Sequence, residues 1–208
     1  MHANMTSATS LRERKIAETS RRLTDLARAW TVERGFGSFT IEELCEEAGV
    51  SRRTFFNYFA TKEDAVLGIP SRGNHEEAEA RFLVGAGECG PSGLSTALLS
   101  DLAELMLARW QALGLGVGDF EALVAAIEHA PRVLRRMLQT TREQEFRDIA
   151  LVEQRERLSP GDLRASTVVH LLGTILRGAV EETVCGSGES LPAVFARRIA
   201  AARSVFSA

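Results

Sequence analysis

Apolar residues return at three- and four-residue intervals along almost the whole chain, and the strict alternation of a half-buried strand is scarce. Over residues 11–34 Ile16, Leu23, Leu26, Ala27 and Trp30 form a stripe on an otherwise charged cylinder, which predicts a helix ended by Gly35. The next stretch is dense in start and stop signals. Thr40-Ile41-Glu42-Glu43 is a capping box, and Ile41, Leu44 and Ala48 line one face of a short helix that Gly49 stops. Ser51 is placed to cap a second short helix, running through Phe56 or Asn57, and Thr61 with Asp64 three residues on opens another. Residues 11–70 therefore read as one compact unit of four helices.

Beyond it the pattern loosens. Residues 71–74 form a linker turn, 75–84 a helix, and the GAGECGPSG run at 85–93 a loop. Helices follow over 94–113, with Leu98, Leu102, Leu105 and Arg109 on one face, and over 120–130, separated by GLGVGD at 114–119. Pro131 suits a first helical position. From it a charged helix runs to about residue 158, with Leu134, Met137, Leu138, Thr141, Ile149 and Val152 expected to point inward. In the helix predicted over 166–185, Val168, Val169, Leu171, Leu172, Ile175, Leu176, Ala179, Val180 and Val184 occupy nearly the whole circumference. Such a helix needs cover on two sides. The last helix carries Leu191, Val194, Phe195, Ile199, Ala202 and Phe206. Two helices from each of two identical chains would make a four-helix interface with two-fold symmetry. A single larger domain covering both faces itself is the alternative.

Composition narrows the class. The 208 residues are 45% hydrophobic and 25% charged, which excludes wholesale disorder, and a mean hydropathy of −0.05 without a long apolar run excludes a membrane span. Residues 1–10 are small and polar, without the basic and apolar regions of a secretory signal, and are expected to form a disordered arm. Three cysteines without metal spacing suit a reducing cytoplasm. A catalytic set is missing: His75, His129 and His170 are isolated, and no nucleophile elbow or phosphate-cradling loop is present. The reading is a non-enzyme without cofactor or metal.

Function concentrates in TIEELCEEAGVSRRTFFNYF, residues 40–59. Two short helices about a glycine turn form the helix-turn-helix pattern, whose second helix enters the major groove of DNA. Ser51, Arg52, Arg53 and Thr54 open that helix. Arginine reads guanine edges with two bonds, and threonine bonds a base or touches a thymine methyl. Tyr58 and Lys62 are placed for backbone phosphates. Of Phe55, Phe56 and Phe59, at least two should be buried. The net charge of −3 says nothing of nucleic acid, and residues 1–68 balance ten basic against ten acidic side chains. Distribution matters more. Residues 10–22 and 51–62 are each +3 locally, provided that Glu42, Glu43, Glu46 and Glu47 face away from the DNA.

The run from Phe36 to Leu67, with FTIEELCEEAGVSRRTFFNYFATKEDAVL at its heart, closely resembles the DNA-binding region of the TetR family of bacterial regulators. The resemblance implies an all-α homodimer, with an N-terminal helix-turn-helix unit of three to four helices (residues 11–70). It also implies a C-terminal helical domain (71–208) that binds a small ligand and dimerises through its last two helices. A repressor binding a near-palindromic operator, and released by a small-molecule effector, is the function so implied. Positions matching Thr40, Arg52, Arg53, Thr54, Tyr58 and Lys62 commonly contact DNA in that family. The position of Arg53 is often glycine or small there, and that of Phe56 often tyrosine.

For an effector site the candidates are Trp110 and Phe120 as apolar lining, with Arg109, Arg135, His170 and Arg177 for polarity. Arg177 interrupts an apolar run. Buried there, it would need a partner, with Glu181 four residues on as the internal one, or an anion. The competing reading keeps the DNA-binding motif but makes the protein an interaction module or a nucleoid-type DNA binder without effector control.

Overall fold

The computed structural model describes residues 3–71, 76–85, 87–90, 93–113, 117–186 and 188–206, the side chains of residues 3–13 and 117 excepted. Parts of the expected arm, linker turn and loops, namely residues 1–2, 72–75, 86, 91–92 and 114–116, lie outside the described residues. Within those described the fold is all-α: ten helices and no strand. They divide into two compact units. One comprises residues 1–73 with 118–139, the other 74–117 with 140–208.

The first unit holds α1 (Ala3–Arg34), α2 (Ile41–Glu47), α3 (Arg52–Tyr58), α4 (Lys62–Leu67), nearly all of α7 (Val117–His129) and the opening residues of α8 (Pro131–Glu156). Helix α1 already runs from Ala3, upstream of the apolar stripe that begins at Ile16. The core gathers Leu23, Ala27 and Trp30 of α1 with Phe36, Phe39, Leu44, Phe55, Phe59 and Val66. Trp30 meets Phe39 edge-on at 5.5 Å, and Phe55 lies 5.7 Å from Phe59. Two charged groups are sealed into this unit. Arg28, 3% exposed, donates through Nε to the carbonyl of Val66 at 2.9 Å and through Nη2 to that of Leu67 at 3.4 Å. It thereby satisfies carbonyls that the last turn of α4 leaves open. Asp64 is 1% exposed and accepts from Arg136 at 2.7 and 3.4 Å, which ties α4 to the start of α8.

The second unit holds α5 (Glu76–Val84), α6 (Leu98–Ala112), the remainder of α8, α9 (Leu163–Val184) and α10 (Leu191–Phe206). Its core runs through Phe82, Leu98, Leu102, Leu105, Val152, Val169, Leu172, Val194 and Phe195. On α8 the inward expectation holds for Val152 and fails for Leu134, Leu138 and Thr141, which are exposed, Leu138 by 60%. The buried line of α8 instead passes through Val133, Asp148 and Val152, so a charged residue occupies a place that an apolar stripe would not assign. On α9 the buried residues are Ala165, Val169, Leu172, Ala179 and Val180, while Val168, Leu171, Ile175, Leu176 and Val184 are half-buried.

Two ion clusters lie inside this unit. Arg109 of α6 binds Asp148 of α8, and at 2.7 Å Glu79 of α5. Burial pushes the Asp148 carboxyl above the usual carboxylate range, opposed by Arg109 and by Gln144. Arg155 of α8, 2% exposed, binds Asp101 of α6, and its guanidinium carbon stands 4.6 Å from the Phe82 ring centre. Gly85 lies against this second cluster. A Cβ there would stand 2.6 Å from Asp101 Oδ2 and 2.9 Å from Arg155 Nη2, closer than side chains tolerate. Gly85→Ala is therefore expected to destabilise the protein by about 1–3 kcal/mol through displacement of a part-buried ion pair. Urea unfolding checks this, and an unchanged midpoint would show that the pair yields without cost.

Candidate nucleic-acid interface

The site begins with backbone chemistry. Thr40 caps α2: its hydroxyl accepts from Glu43 N at 3.2 Å, and its own N–H donates to Glu43 Oε2 at 2.7 Å. These bonds hold the Glu43 carboxyl below its usual range, the Thr40 backbone bond being the largest cause. At the other end of α2, Val50 N donates to Cys45 O at 2.9 Å and Gly49 N to Glu46 O at 3.0 Å. That is the Schellman pattern, and it requires the left-handed backbone found at Gly49, φ +65°. Ser51 then caps α3, accepting from Thr54 N at 3.1 Å, with its hydroxyl 2.8 Å from that of Thr54. Cap, reversal and cap follow within a few residues, so the angle between the two helices is set by local bonds.

Long-range contacts then hold the pair in place. Arg22 of α1 donates to the carbonyl of Ala48, the residue that closes α2. Leu44, Cys45 and Ala48 below the turn, and Phe55 and Phe59 below α3, are buried. Burial, then Glu42, pushes the Cys45 thiol up. What α3 turns outward is Arg52, Arg53, Phe56 and Asn57, with Thr54 and Tyr58 half-buried. Burial of two of the three phenylalanines is as expected.

The charges around this face were only partly foreseen. Glu42 pairs with Arg52 of α3 at 2.7 Å, both side chains more than half exposed. Arg21 pairs with Asp119 at 3.3 Å, and Arg22 holds the turn, so neither is simply a solvated cation. Arg14 and Lys15 are exposed, and the side chain of Arg12 lies outside the described residues. Lys62 is caged. Its ammonium donates to the carbonyls of Phe36 and Phe39, each at 2.6 Å, and stands 4.3 and 4.1 Å from the centres of their rings. Desolvation lowers its pKa. Lys62 thus fastens the start of α4 to the segment before α2, with one of its three N–H groups left beyond these two bonds. Sequence patterning missed this work, as it missed that of Arg22, because both partners are backbone carbonyls more than twenty residues away.

The residues considered for an effector are spread through the fold. Arg109 is buried and Trp110 half-buried on α6, and both terminal nitrogens of Arg109 are taken by Asp148 and Glu79. Phe120, half-buried, and Arg135, exposed, belong to the first unit. His170 and Arg177 are exposed on α9. The expectation of a buried Arg177 is corrected here: α9 turns this position to solvent in the protomer, so its charge needs no internal partner.

A capped, glycine-reversed helix pair over a sealed core, with arginines on the outer face of the second helix, is a helix-turn-helix DNA-binding unit. Residues 23–67 match the family described as "Bacterial regulatory proteins, tetR family". The chain is also 27% identical over 152 residues to the HTH-type transcriptional regulator TcmR of Streptomyces glaucescens, a match spanning 73% of this chain and 66%, just under two thirds, of that protein. Residues 23–67 thus carry a helix-turn-helix region similar to that of the TetR family of bacterial regulatory proteins. Among the described residues, no helix is long and apolar enough to cross a membrane.

Proposed function

We propose that the protein is a homodimeric transcriptional repressor that reads a near-palindromic operator in the cytoplasm and is released from it by a small-molecule effector. The observation that carries the reading is the outer face of α3, where Arg52 and Arg53 stand exposed on a helix whose opposite side is locked into the core by Phe55 and Phe59. Arg52 and Arg53 supply base and phosphate contacts, and Thr40, Ser51, Thr54, Tyr58 and the remaining N–H of Lys62 supply backbone contacts at the rim. Two such units enter successive major grooves about 34–36 Å apart. The half-buried apolar residues of α9, packed with α10, support dimerisation through the last two helices. The helical second unit is the domain assigned to the effector, with Arg109 and Trp110 of α6 as its most enclosed candidates. Effector binding would act by favouring a dimer arrangement that the operator does not accept.

Selection from a random double-stranded DNA pool at near-physiological salt tests this. An enriched inverted repeat is the expected result. A folded protein that enriches nothing, even after any bound small molecule has been removed, would overturn operator reading in favour of the interaction-module alternative.

A further inference from the structure

We propose that Phe56 is a specificity-determining residue of α3, its ring packing against a thymine methyl group in the major groove. The proposal rests on the DNA-reading function above and assigns to one position the base that it reads.

Residues 52 and 56 lie one turn apart on α3, as do 53 and 57, so Arg52, Arg53, Phe56 and Asn57 share one outward face. Three of the four are polar. Phe56 is 45% exposed among them, although its neighbours Phe55 and Phe59 are fully buried. Single exposed apolar residues are ordinary on protein surfaces. Here, however, the ring is held. It meets the Phe55 ring edge-on, with centres 5.4 Å apart and planes at 87°, and Phe55 is fixed in the core. The Arg52 guanidinium also stands 5.8 Å from the ring centre while bound to Glu42. The core therefore presents an oriented aromatic surface in the middle of the face that enters the groove.

The chemistry of the groove leaves one suitable partner. A phenylalanine ring carries no hydroxyl, so it takes no phosphate and answers no hydrogen-bonding base edge. Set against guanine, adenine or the cytosine amino group, it strips water from donors and acceptors without replacing their bonds. The thymine C5-methyl is the apolar group on the major-groove edge of a base pair. Packing against it removes both apolar surfaces from water together. Phe56 then reads thymine, while the arginines on either side read or hold the adjacent positions.

The test uses the selected operator with each thymine replaced singly by deoxyuridine, which removes the methyl group and nothing else. For the wild-type protein, one thymine per half-site is expected to lose about fourfold in affinity on this replacement, the worth of a single buried methyl. In the Phe56→Ala variant the same replacement is expected to change nothing, and Phe56→Leu should keep part of the sensitivity. Circular dichroism and the urea midpoint establish that both variants are folded. Equal sensitivity of the wild type and Phe56→Ala at every thymine, or sensitivity in neither, overturns the role of Phe56 alone. A wild-type protein that selects no operator overturns the DNA-reading function, and this role with it.

Discussion

The Arg52→Ala, Arg53→Ala double variant is expected to lose operator affinity by more than about a hundredfold while keeping its fold. Each arginine that reads a base edge or holds a phosphate contributes on the order of 1–3 kcal/mol, and a dimer carries both residues twice. Little of the loss can come from instability. Both side chains are exposed, and the one ion pair involved, Arg52 with Glu42, is an open surface pair. Such pairs contribute about 0–1 kcal/mol. The salt dependence of binding should also flatten, by roughly one unit for each phosphate contact removed. Fluorescence anisotropy across a salt series measures both effects. Retention of wild-type affinity and salt slope would show that α3 is not the reading element, whatever the rest of the chain does.

The second large effect lies in the other unit. Asp148→Ala is expected to destabilise the protein by about 3–5 kcal/mol, because it leaves the buried Arg109 with Glu79 as its remaining carboxylate partner. Burial raises the Asp148 pKa, so the folded state resists its ionisation, and Arg109 with Gln144 offsets that resistance. The sign for pH follows. A carboxyl whose folded pKa is raised adds to stability below its unfolded value, and that addition is lost as pH rises through the folded pKa. Acidification just below neutrality should therefore not weaken the wild type through this group. The mechanism is checked by the Arg109→Met, Asp148→Leu double variant. Replacing both ends of a buried pair with apolar groups of similar size costs less than orphaning one. If urea unfolding shows the double variant to be less stable than Asp148→Ala, the loss in the single variant comes from packing and not from an uncompensated charge.

The helix-turn-helix was legible because its determinants are local. Thr40 with Glu43, Ser51 with Thr54, Thr61 with Asp64, and Gly49 at the reversal act over three to five residues. Periodicity also separated Phe55 and Phe59 from the outward arginines. The same method went wrong on α8, where Leu134 and Leu138 are exposed and Asp148 is buried. The reason is electrostatic. Arg109 makes a carboxylate acceptable inside, and hydropathy along α8 contains no information about a side chain thirty-nine residues upstream.

What residues a few positions apart dictate through hydrogen bonds and helical phase is the all-α class, the caps, the turn and which residues α3 turns outward. Sequence resemblance extended these to a family. The packed chain was needed for everything resting on meetings across long separations: Arg22 on the Ala48 carbonyl, Lys62 caged by Phe36 and Phe39, and Arg136 on Asp64. The joining of residues 118–139 to the N-terminal helices belongs with them. Lys62 is desolvated in its cage and Asp64 is sealed from water, and in every case the partner is chosen by three-dimensional proximity. No periodicity along the chain encodes such a choice, since any of its many arginines could equally have met a carboxylate in solvent.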